Sequence, residues 1–527
     1  MDREKIANKK TPLVIIGVLL TSCLLFFSNH GLLVLDTADV NTDISINKVG
    51  GQNNDDKSTI RGKKILLVTT GSYEIIANKK STNLKSIYYA NVKPFIKKSV
   101  NIKFKHQKAS INLGDNELGC TIYNAENGQI IYKLCDNLRG DNNIYYFTKN
   151  GDNVRSTTRP FFEQDLTKYR SSVYMGGMID VVPIEDKWGI AKLTPIDDSF
   201  KESPSAYHLS QNPLGIYTNQ QDNLAESFAV LTQDKKLLVF QNINDQNPKQ
   251  VDISKNISTE TNTSIIGNIA SNHLVLFNGT TSDDILGDTD NTGSSNQKII
   301  DINFENEKVR ETKLPKNAVV NSVSTNSDLE TAIGSTSPDG KGHIIYFVNK
   351  NGKVTTSPVL SSYSGSNICW IGKSLYLSTN YNMVVEFSKR ENSMYTIYEG
   401  PDIALSNLSC VGTNLYFTLN TSGESSDPTV RHFMIDFNTD LPEKDKNNRP
   451  ENIFPIIGDE KNNITIADFF KKQITVQYRD FNDLTFTHSC SISEKERKNV
   501  MEYINSLGID FSGYTFSISY DCGPATR

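Results

Sequence analysis

The sequence predicts a mainly β protein: a single transmembrane anchor, a small β-sandwich, a six- to seven-bladed β-propeller and a small carboxy-terminal α+β module. Three observations lead to this prediction. An uncharged apolar run lies near the amino terminus, and short aromatic-rich strands follow one another along most of the chain. A turn-plus-strand unit also recurs at a spacing of about 40 residues, the length of one propeller blade.

The amino-terminal segment predicts a membrane anchor at residues 11–35. These residues carry no formal charge, and the most apolar part, 12–27, reaches the usual spanning length of about 20 residues only when 31–35 is added. Basic residues precede the run and acidic residues follow it. The positive-inside rule therefore predicts that the chain crosses the cell membrane once. The tail, residues 1–10, would lie in the cytosol, and the bulk of the chain would lie outside it.

Two other interpretations of this segment stay open. Leu20-Thr21-Ser22-Cys23 resembles a bacterial lipobox, in which Cys23 would be lipidated after cleavage, although residues 24–27 continue the apolar run. A cleaved signal peptide is the second alternative, but no small-x-small cleavage site stands out.

The next two segments predict a tether and a compact β domain. Residues 36–61 are polar and rich in Gly, Asn and Asp, which predicts a flexible linker. Residues 62–155 contain a series of short strand-like runs without helical periodicity. This pattern predicts a β-sandwich, and it resembles the Ig-like or PEGA-like kind.

One hairpin in this predicted sandwich suggests a disulfide. Asn127-Gly128 favours a two-residue type I′ turn, which would place Tyr123 opposite Tyr132 and Cys120 opposite Cys135. Opposed Cα atoms in such a ladder lie about 4.5–5.5 Å apart, within disulfide range. The alternative is a pair of buried free thiols.

Residues 160–440 predict the propeller. A tight polar turn followed by three or four apolar residues recurs there, and the strand anchors of these units are Leu237, Leu274, Ile344, Leu375 and Leu415. A four-stranded sheet cannot bury both of its faces alone, whereas blades stacked around an axis bury each other's faces.

One of these units carries a resemblance to known families. Ser337-Pro338-Asp339-Gly340-Lys341 and the apolar run 344–347 resemble the repeating turn and strand of TolB-like and WD40-like β-propellers, in which the turn joins two strands of a blade. Residues 232–240 keep Asp234 and Lys235 of this unit. The resemblance implies a fold and leaves the function open, since propellers host many activities. A surface site formed by Asp339 and His343 is the competing interpretation.

The carboxy-terminal part predicts a linker at 441–462 and an α+β module at 463–527. Two strand-like runs, an amphipathic helix after a capping box near Ser493 and a last strand predict that module. A bond between Cys490 and Cys522 would staple it. Cys369 and Cys410 complete the six disulfide candidates, and the sequence leaves their pairing open. The sequence contains no C-x-x-C motif, so it does not indicate a zinc site.

The sequence indicates no catalytic or cofactor-binding residue. Catalytic motifs such as G-x-S-x-G and H-E-x-x-H are absent, and no basic stripe indicates nucleic acid. Asp288 and Asp290 form only the first half of a calcium loop. The leading hypothesis is a membrane-anchored binding or scaffolding module of the cell envelope with a protein or glycan ligand. The alternatives are a propeller enzyme of lyase or glycosidase type, or a structural subunit of an envelope machine.

Overall fold

The computed structural model describes the backbone of about two thirds of the chain. The described residues are 28–38, 42–51, 58–79, 84–105, 107–108, 110–116, 119–124, 129–134, 143–148, 154–158, 171–175, 177–184, 187–196, 199–210, 213–219, 221–222, 225–258, 264–279, 297–315, 318–400, 405–420, 430–437, 463–466, 474–479, 483–489 and 515–521.

The chain divides into two compact units. The first contains residues 1–106 with two short segments, 357–361 and 387–396, and the second contains the remaining residues. The strands of the first unit are β1 (His30–Thr37), β2 (Thr42–Lys48), β3 (Ser58–Ile60), β4 (Lys63–Thr69), β5 (Gly71–Lys79), β6 (Leu84–Val92) and β7 (Lys97–Ile102).

The first unit consists of two packed sheets. One has the order β4-β1-β7, and the other contains β3, β2, β5 and β6 in that order. Side chains from both sheets form one core, in which Leu33, Leu35, Ile75 and Val100 are buried. Alternate residues of β1 and β4 therefore point to this core, and the others point outward.

The first unit corrects two of the predicted boundaries. Residues 31–35, predicted to complete the anchor, lie in β1, which pairs with β4 and β7. Residues 36–61, predicted to be a flexible linker, contain β2 and β3. The physical reason is that an apolar run of five residues suits a buried strand as well as the end of a helix. No helix in the described residues is long and apolar enough to cross a membrane, and residues 1–27 lie outside them.

The second unit contains seven blades, except that residues 387–396 of blade six are counted with the first unit. Strand β8 (Ile111–Asn116) comes first in the chain. Blade one is β9 (Gly119–Asn124), β10 (Gln129–Leu134), β11 (Asn143–Thr148) and β12 (Val154–Thr158). Blade two is β13 (Ser171–Tyr174), β14 (Gly177–Ile184), β15 (Lys187–Ile196) and β16 (Ser199–Leu209). Blade three is β17 (Gly215–Thr218), β18 (Phe228–Leu231), β19 (Lys236–Phe240) and β20 (Lys249–Asp252).

Blade four is β21 (Ser264–Ala270), β22 (His273–Gly279), β23 (Lys298–Asn303) and β24 (Val309–Lys313). Blade five is β25 (Val319–Thr325), β26 (Thr331–Thr336), β27 (His343–Val348) and β28 (Val354–Thr356). Blade six is β29 (Tyr363–Ile371), β30 (Ser374–Thr379), β31 (Met383–Ser388) and β32 (Ser393–Glu399). Blade seven is β33 (Leu405–Val411), β34 (Asn414–Asn420) and β35 (Val430–Asp436), completed by β8.

The blades close into a ring. The first strands of the blades (β9, β13, β17, β21, β25, β29 and β33) each contact the first strands of both neighbouring blades, and β33 contacts β9. The early strand β8 pairs antiparallel with β35, with Val430 opposite Asn116, and so completes the last blade. Seven blades agree with the prediction of six to seven.

Neighbouring blades share apolar cores, as the propeller prediction requires. Leu237 and Val251 of blade three pack with Leu276 and Ile300 of blade four in one cluster. A second cluster joins blades two and three, and a third joins blades six and seven. In these three pairs each blade buries a face of its neighbour, and this apolar burial stabilises the ring.

The extent of the propeller differs from the predicted 160–440. The ring takes in β8 to β12, so residues 111–158 belong to the propeller and not to a sandwich at 62–155. The hairpin register also differs from the prediction, because Tyr123 pairs with Ile131 instead of Tyr132. Cys135 lies outside the described residues, and its bond to Cys120 stays a prediction.

The turn at Ser337 has the predicted role. It joins β26 and β27, the second and third strands of blade five. Residues 232–235 join the second and third strands of blade three in the same way. The units around Leu274, Leu375 and Leu415 instead follow first-to-second turns, so the recurring sequence unit matches two different places in a blade.

The carboxy-terminal region contains one further sheet. Its strands β36 (Asn463–Ile466), β37 (Ile474–Arg479), β38 (Asp483–Ser489) and β39 (Thr515–Asp521) are neighbours in that order. The last two are parallel, with Ser489 opposite Asp521. Cys490 and Cys522 follow these partners directly but lie outside the described residues, as does the predicted helix, so both remain predictions.

Candidate functional site

The candidate site is a cleft at the turns of blades four and five. Because the strands of a blade alternate in direction, the first-to-second and third-to-fourth turns lie at one end of each sheet, and the second-to-third turn lies at the other. Four turns of the first kind enclose a space of about 710 Å³, called here the inter-blade cleft. Its lining residues are Ser271, Asn272, His273, Asn303, Glu305, Ser327, Asp328, Leu329, Glu330, Asn349, Lys350 and Asn351.

A charged cluster supports the blade-four wall of the cleft. Asp301 is a buried residue, and its carboxylate accepts hydrogen bonds from His273 Nδ1 at 2.6 Å and from the Arg310 guanidinium. Strand pairing brings these residues together, since β22 and β24 flank β23. A buried carboxylate needs such partners because it has lost its hydration.

Asn303 defines the tautomer of His273. Its Oδ1 accepts the backbone N–H groups of Glu305 (2.8 Å) and Asn306 (3.1 Å), which fixes the orientation of the amide. Its Nδ2 therefore donates to His273 Nε2 at 3.0 Å, and the proton of the imidazole lies on Nδ1, toward Asp301. Both ring nitrogens are thus engaged, and His273 holds the wall of the cleft instead of serving as a free general base.

The blade-five wall consists of turns that are closed by their own side chains. Asn326 Oδ1 accepts the N–H groups of Asp328 (3.0 Å) and Glu330 (2.9 Å). Asn349 Oδ1 accepts those of Asn351 and Lys353, both at 3.0 Å. Side-chain bonds of this kind hold loops in one conformation, so the cleft is preformed.

Further contacts tie the two walls and the next blade together. Ser271 Oγ donates to the Ser327 carbonyl at 3.2 Å, from blade four to blade five. Lys373 Nζ of blade six lies 2.8 Å from Asp328 Oδ2. The hydrogen bond with Asp328 raises the pKa of Lys373. Both side chains are mostly exposed, so water weakens this pair.

The chemistry of the cleft is polar and acidic. Its lining includes the carboxylates of Glu305, Asp328 and Glu330 and the single ammonium group of Lys350. Leu329 is the only apolar side chain among the twelve lining residues. The arrangement suits a ligand that offers hydrogen-bond donors and positive charge, and does not suit an apolar one.

The ring around the axis has the opposite character. The first strands of the seven blades contain no Asp, Glu, Lys, Arg or His. Their polar groups are hydroxyls and amides, such as Ser322 Oγ, which accepts the Ile368 N–H at 2.9 Å, and Asn268 Nδ2, which donates to the Thr325 carbonyl at 3.2 Å. These bonds join neighbouring blades and stabilise the ring.

A disulfide also lies in this ring. Cys369 in β29 and Cys410 in β33 are bonded, with Cα atoms 5.6 Å apart, and both are buried. The structure thus resolves the pairing that the sequence left open, and the bond links the first strands of blades six and seven.

The competing site at Asp339 and His343 is not formed. Asp339 Oδ1 accepts from Ser337 Oγ at 2.5 Å and from the Lys341 N–H at 3.3 Å, and these bonds lower the pKa of this exposed carboxyl. His343 packs edge-on against Tyr363 of blade six at 5.4 Å between ring centroids. The Asp339 side chain thus closes its own turn, and the His343 side chain packs between blades.

Other predicted site residues lie where the structure gives no test. Asp288 and Asp290 fall outside the described residues, so the half calcium loop stays a prediction. Within the described part of the chain, no group of three or more His, Cys, Asp or Glu side chains is arranged to hold a metal ion.

Sequence reasoning missed the His273, Asp301 and Arg310 cluster. The three residues are spread over three strands, and only the register of β22, β23 and β24 brings them together. The available signal was the Ser271-Asn272 turn directly before His273, which marks the histidine as the first residue of a strand.

Comparisons with known proteins give no family. No family model and no curated protein matches the chain. Three solved structures illustrate what it is similar to. A virginiamycin B lyase from Staphylococcus aureus, solved with quinupristin, is 12% identical, with 63% of this chain and 99% of that chain covered and a TM-score of 0.37.

The other two are similar at the same level. The Neurospora crassa Pan2 WD40 domain is 9% identical, with 64% and 99% coverage and a TM-score of 0.39. BamB from Moraxella catarrhalis is 10% identical, with 70% and 93% coverage and a TM-score of 0.31. At TM-scores below 0.5 these likenesses carry no argument about function. The closed ring of seven blades itself makes the second unit a β-propeller.

Proposed function

We propose that the protein is a binding module of the cell envelope, anchored in the membrane by its amino-terminal segment, and that the inter-blade cleft holds its ligand. The observation that carries this proposal is the preformed, acidic and amide-rich lining of the cleft. A protein ligand that offers basic and amide side chains fits this chemistry best, and a glycan is the second candidate.

The alternative of a lyase or glycosidase at the central mouth has less support. Such chemistry needs acids and bases that face the substrate, often a pair of carboxylates. The seven innermost strands supply none, and in the cleft His273 has both ring nitrogens engaged. The described residues therefore favour binding over catalysis.

The membrane anchor is part of the proposal and rests on the sequence. Residues 12–27 are apolar and uncharged, and basic residues precede them. With β1 beginning at His30, this run alone is shorter than an ordinary span of about 20 residues. Residues 28–29 and local thinning of the bilayer would have to make up the difference.

A photo-crosslinking experiment tests the cleft as the ligand site. A benzophenone amino acid is placed at Asn351, in the cleft, or at Lys341, in the turn at the other end of blade five. Both are exposed, so neither change should disturb the fold. We expect a covalent adduct from Asn351 in the native envelope and none from Lys341.

A charge-reversed variant serves as the second arm. Glu305→Lys combined with Asp328→Lys should remove the adduct at Asn351, because the cleft would then repel a basic ligand. Protease or glycosidase treatment of the adduct identifies the ligand class. Equal adducts from both positions, or none from either, would show that the cleft is not the binding site.

A further inference from the structure

The first unit carries an exposed apolar patch, called here the β1–β4 patch. It comprises Phe95 and Ile96 of the turn between β6 and β7, with Leu32, Ile65 and Leu67 on the outer face of the β4-β1-β7 sheet. Their exposed fractions are between 42% and 62%. The second unit has one exposed large apolar side chain in its described residues, Tyr381. The exposed apolar side chains of the described residues are thus concentrated in this patch, and such a patch marks an interaction surface.

The outer face of this sheet changes character along its length. Leu32 pairs with Leu67 on one side and with Lys97 on the other, at the end where β1 begins. At the far end, Asp36 pairs with Lys63 and Asn101. The apolar end therefore lies beside residue 30, and the polar end lies six residues further along β1.

The turn that carries Phe95 has a conformation that its sequence disfavours. Phe95 has φ of 58°, in the left-handed region where a bulky side chain is strained. The Ile96 N–H bonds to the Lys93 carbonyl at 3.3 Å across the turn. Glycine would suit this position better, so the aromatic ring is presented to solvent at a cost in stability.

The turn is also held closely against the start of β1. The Phe95 N–H donates to the His30 carbonyl at 3.2 Å, and the Leu32 N–H donates to the Ile96 carbonyl at 3.3 Å. A side chain at Gly31 would meet the Lys93 carbonyl at 2.4 Å. The glycine thus permits the close approach that fixes the patch beside the first residues of β1.

We propose that the β1–β4 patch lies in the lipid–water interface of the membrane and binds anionic lipid. Three observations select this occupant. The apolar run 12–27 ends three residues before β1, which keeps the patch within reach of the bilayer surface. Lys93 lies in the same turn as Phe95 and Ile96, and Lys97 pairs with Leu32 on the outer face. Cations beside apolar groups suit an anionic headgroup layer. The change from apolar to polar residues along the outer face of the sheet matches a sheet whose apolar end enters the lipid–water interface.

This inference rests on the proposed anchor for its geometry and goes beyond the ligand site of the propeller. A second copy of the chain, or its own residues 12–27, could cover the same patch instead. Both are protein, and an experiment that reports contact with acyl chains separates them from lipid.

Quenching by brominated lipid provides that report. The full-length chain is reconstituted in vesicles of phosphatidylcholine and phosphatidylglycerol, with or without bromine on the acyl chains. Phe95→Trp is compared with Asn101→Trp, at the polar end of the same face, and with the unchanged chain, whose two tryptophans give the background. We expect bromine to reduce the emission of Phe95→Trp more than that of the other two chains.

A matched variant separates lipid contact from folding. Phe95→Gly should relieve the backbone strain, keep the melting temperature at or above that of the unchanged chain and weaken the lipid contact. The measure is the quenching of a Leu67→Trp reporter, which should fall when Phe95→Gly is added. Unchanged quenching at Leu67 would overturn the role of Phe95.

The remaining outcomes distinguish a failure of the lipid contact from a failure of the proposed anchor. Alkaline carbonate extraction of the same vesicles shows whether the chain is integrally anchored. A chain that resists extraction while Phe95→Trp is quenched no more than Asn101→Trp retains the anchor and overturns the lipid contact. Emission that stays blue-shifted and insensitive to bromine would assign the patch to a protein contact.

Discussion

Lys235 and Gly340 occupy the same position in two equivalent turns, with φ of 62° and 68°. Each follows an aspartate whose Oδ1 accepts a hydroxyl hydrogen bond at 2.5 Å, from Thr232 in blade three and from Ser337 in blade five. The N–H of each bonds to the carbonyl three residues earlier, at 3.0 and 2.9 Å. One turn geometry therefore accepts a lysine in one blade and a glycine in another.

This pair gives opposite predictions for two substitutions. Gly340→Ala should lower the free energy of unfolding by about 1 kcal/mol, since no atom lies within 4 Å of the added methyl group and only backbone strain remains. Lys235→Gly should raise it by somewhat less. Urea unfolding measures the free energy of unfolding of both variants. If both substitutions lowered it, or both raised it, the shared geometry would be contradicted.

The disulfide of the ring should contribute strongly to stability. Cys369 and Cys410 close a loop with a sequence separation of 41 residues, for which the chain-entropy estimate is about 4 kcal/mol. The double substitution of both residues by serine should lower the urea midpoint accordingly. A reducing agent should have little further effect on that variant through this bond, whereas free thiols at both positions in the native protein would show that the bond does not form.

The buried Asp301 should be far more sensitive than the exposed Asp328. Asp301→Asn removes a carboxylate that accepts hydrogen bonds from His273 and from the cationic Arg310, and we expect a loss of about 2 kcal/mol after allowance for the partly exposed Arg310. Asp328→Asn, which breaks the exposed pair with Lys373, should change stability little. Equal losses would mean that the cluster does not support the cleft wall.

His343 predicts a dependence of stability on pH. Burial lowers its pKa in the folded state, so below the ordinary value of about 6.5 the unfolded chain binds more protons. The contribution of His343 is therefore complete above that value and is lost as the pH falls through the lowered pKa. His343→Gln should lose less stability than the unchanged chain between about pH 8 and pH 5.5, and an identical loss would contradict the prediction.

The orientation of the proposed anchor can be tested by proteolysis. Arg3, Lys5, Lys9 and Lys10 precede the apolar run, so protease added to intact cells should digest the bulk of the chain. Digestion of the bulk only in inside-out vesicles would reverse the orientation.

Local chemistry made the propeller predictable from sequence, because turns and strands depend on neighbouring residues. For this reason the sequence correctly predicted the turn at Ser337 and the strand that follows it. Which sheet a strand joins is a long-range property, so β9 to β12 were assigned to the wrong domain. The Tyr123 register slipped by one residue because a hairpin register depends on the length of its connection, which Asn127-Gly128 alone does not determine.

The site was less predictable than the fold. Asp301 becomes important only through the strands on either side of it, and its sequence context, an alternating apolar strand, gives no sign of that. The disulfide candidates Cys369 and Cys410 were visible as residue types. Their pairing needed the contact between β29 and β33.

The pairing of β8 with β35 delays closure of the ring until the last blade has been synthesised. A ribosome delivers residues 111–116 early and their partner, residues 430–436, more than 300 residues later, so the ring cannot close while the intervening blades are being synthesised. Contacts so distant in sequence form slowly, and the unclosed blades would present open strand edges to other chains in the meantime. Folding of this propeller should therefore depend on chaperones that hold the unclosed blades, and a chain that stops before residue 430 should be degraded or aggregate instead of persisting as a six-bladed ring.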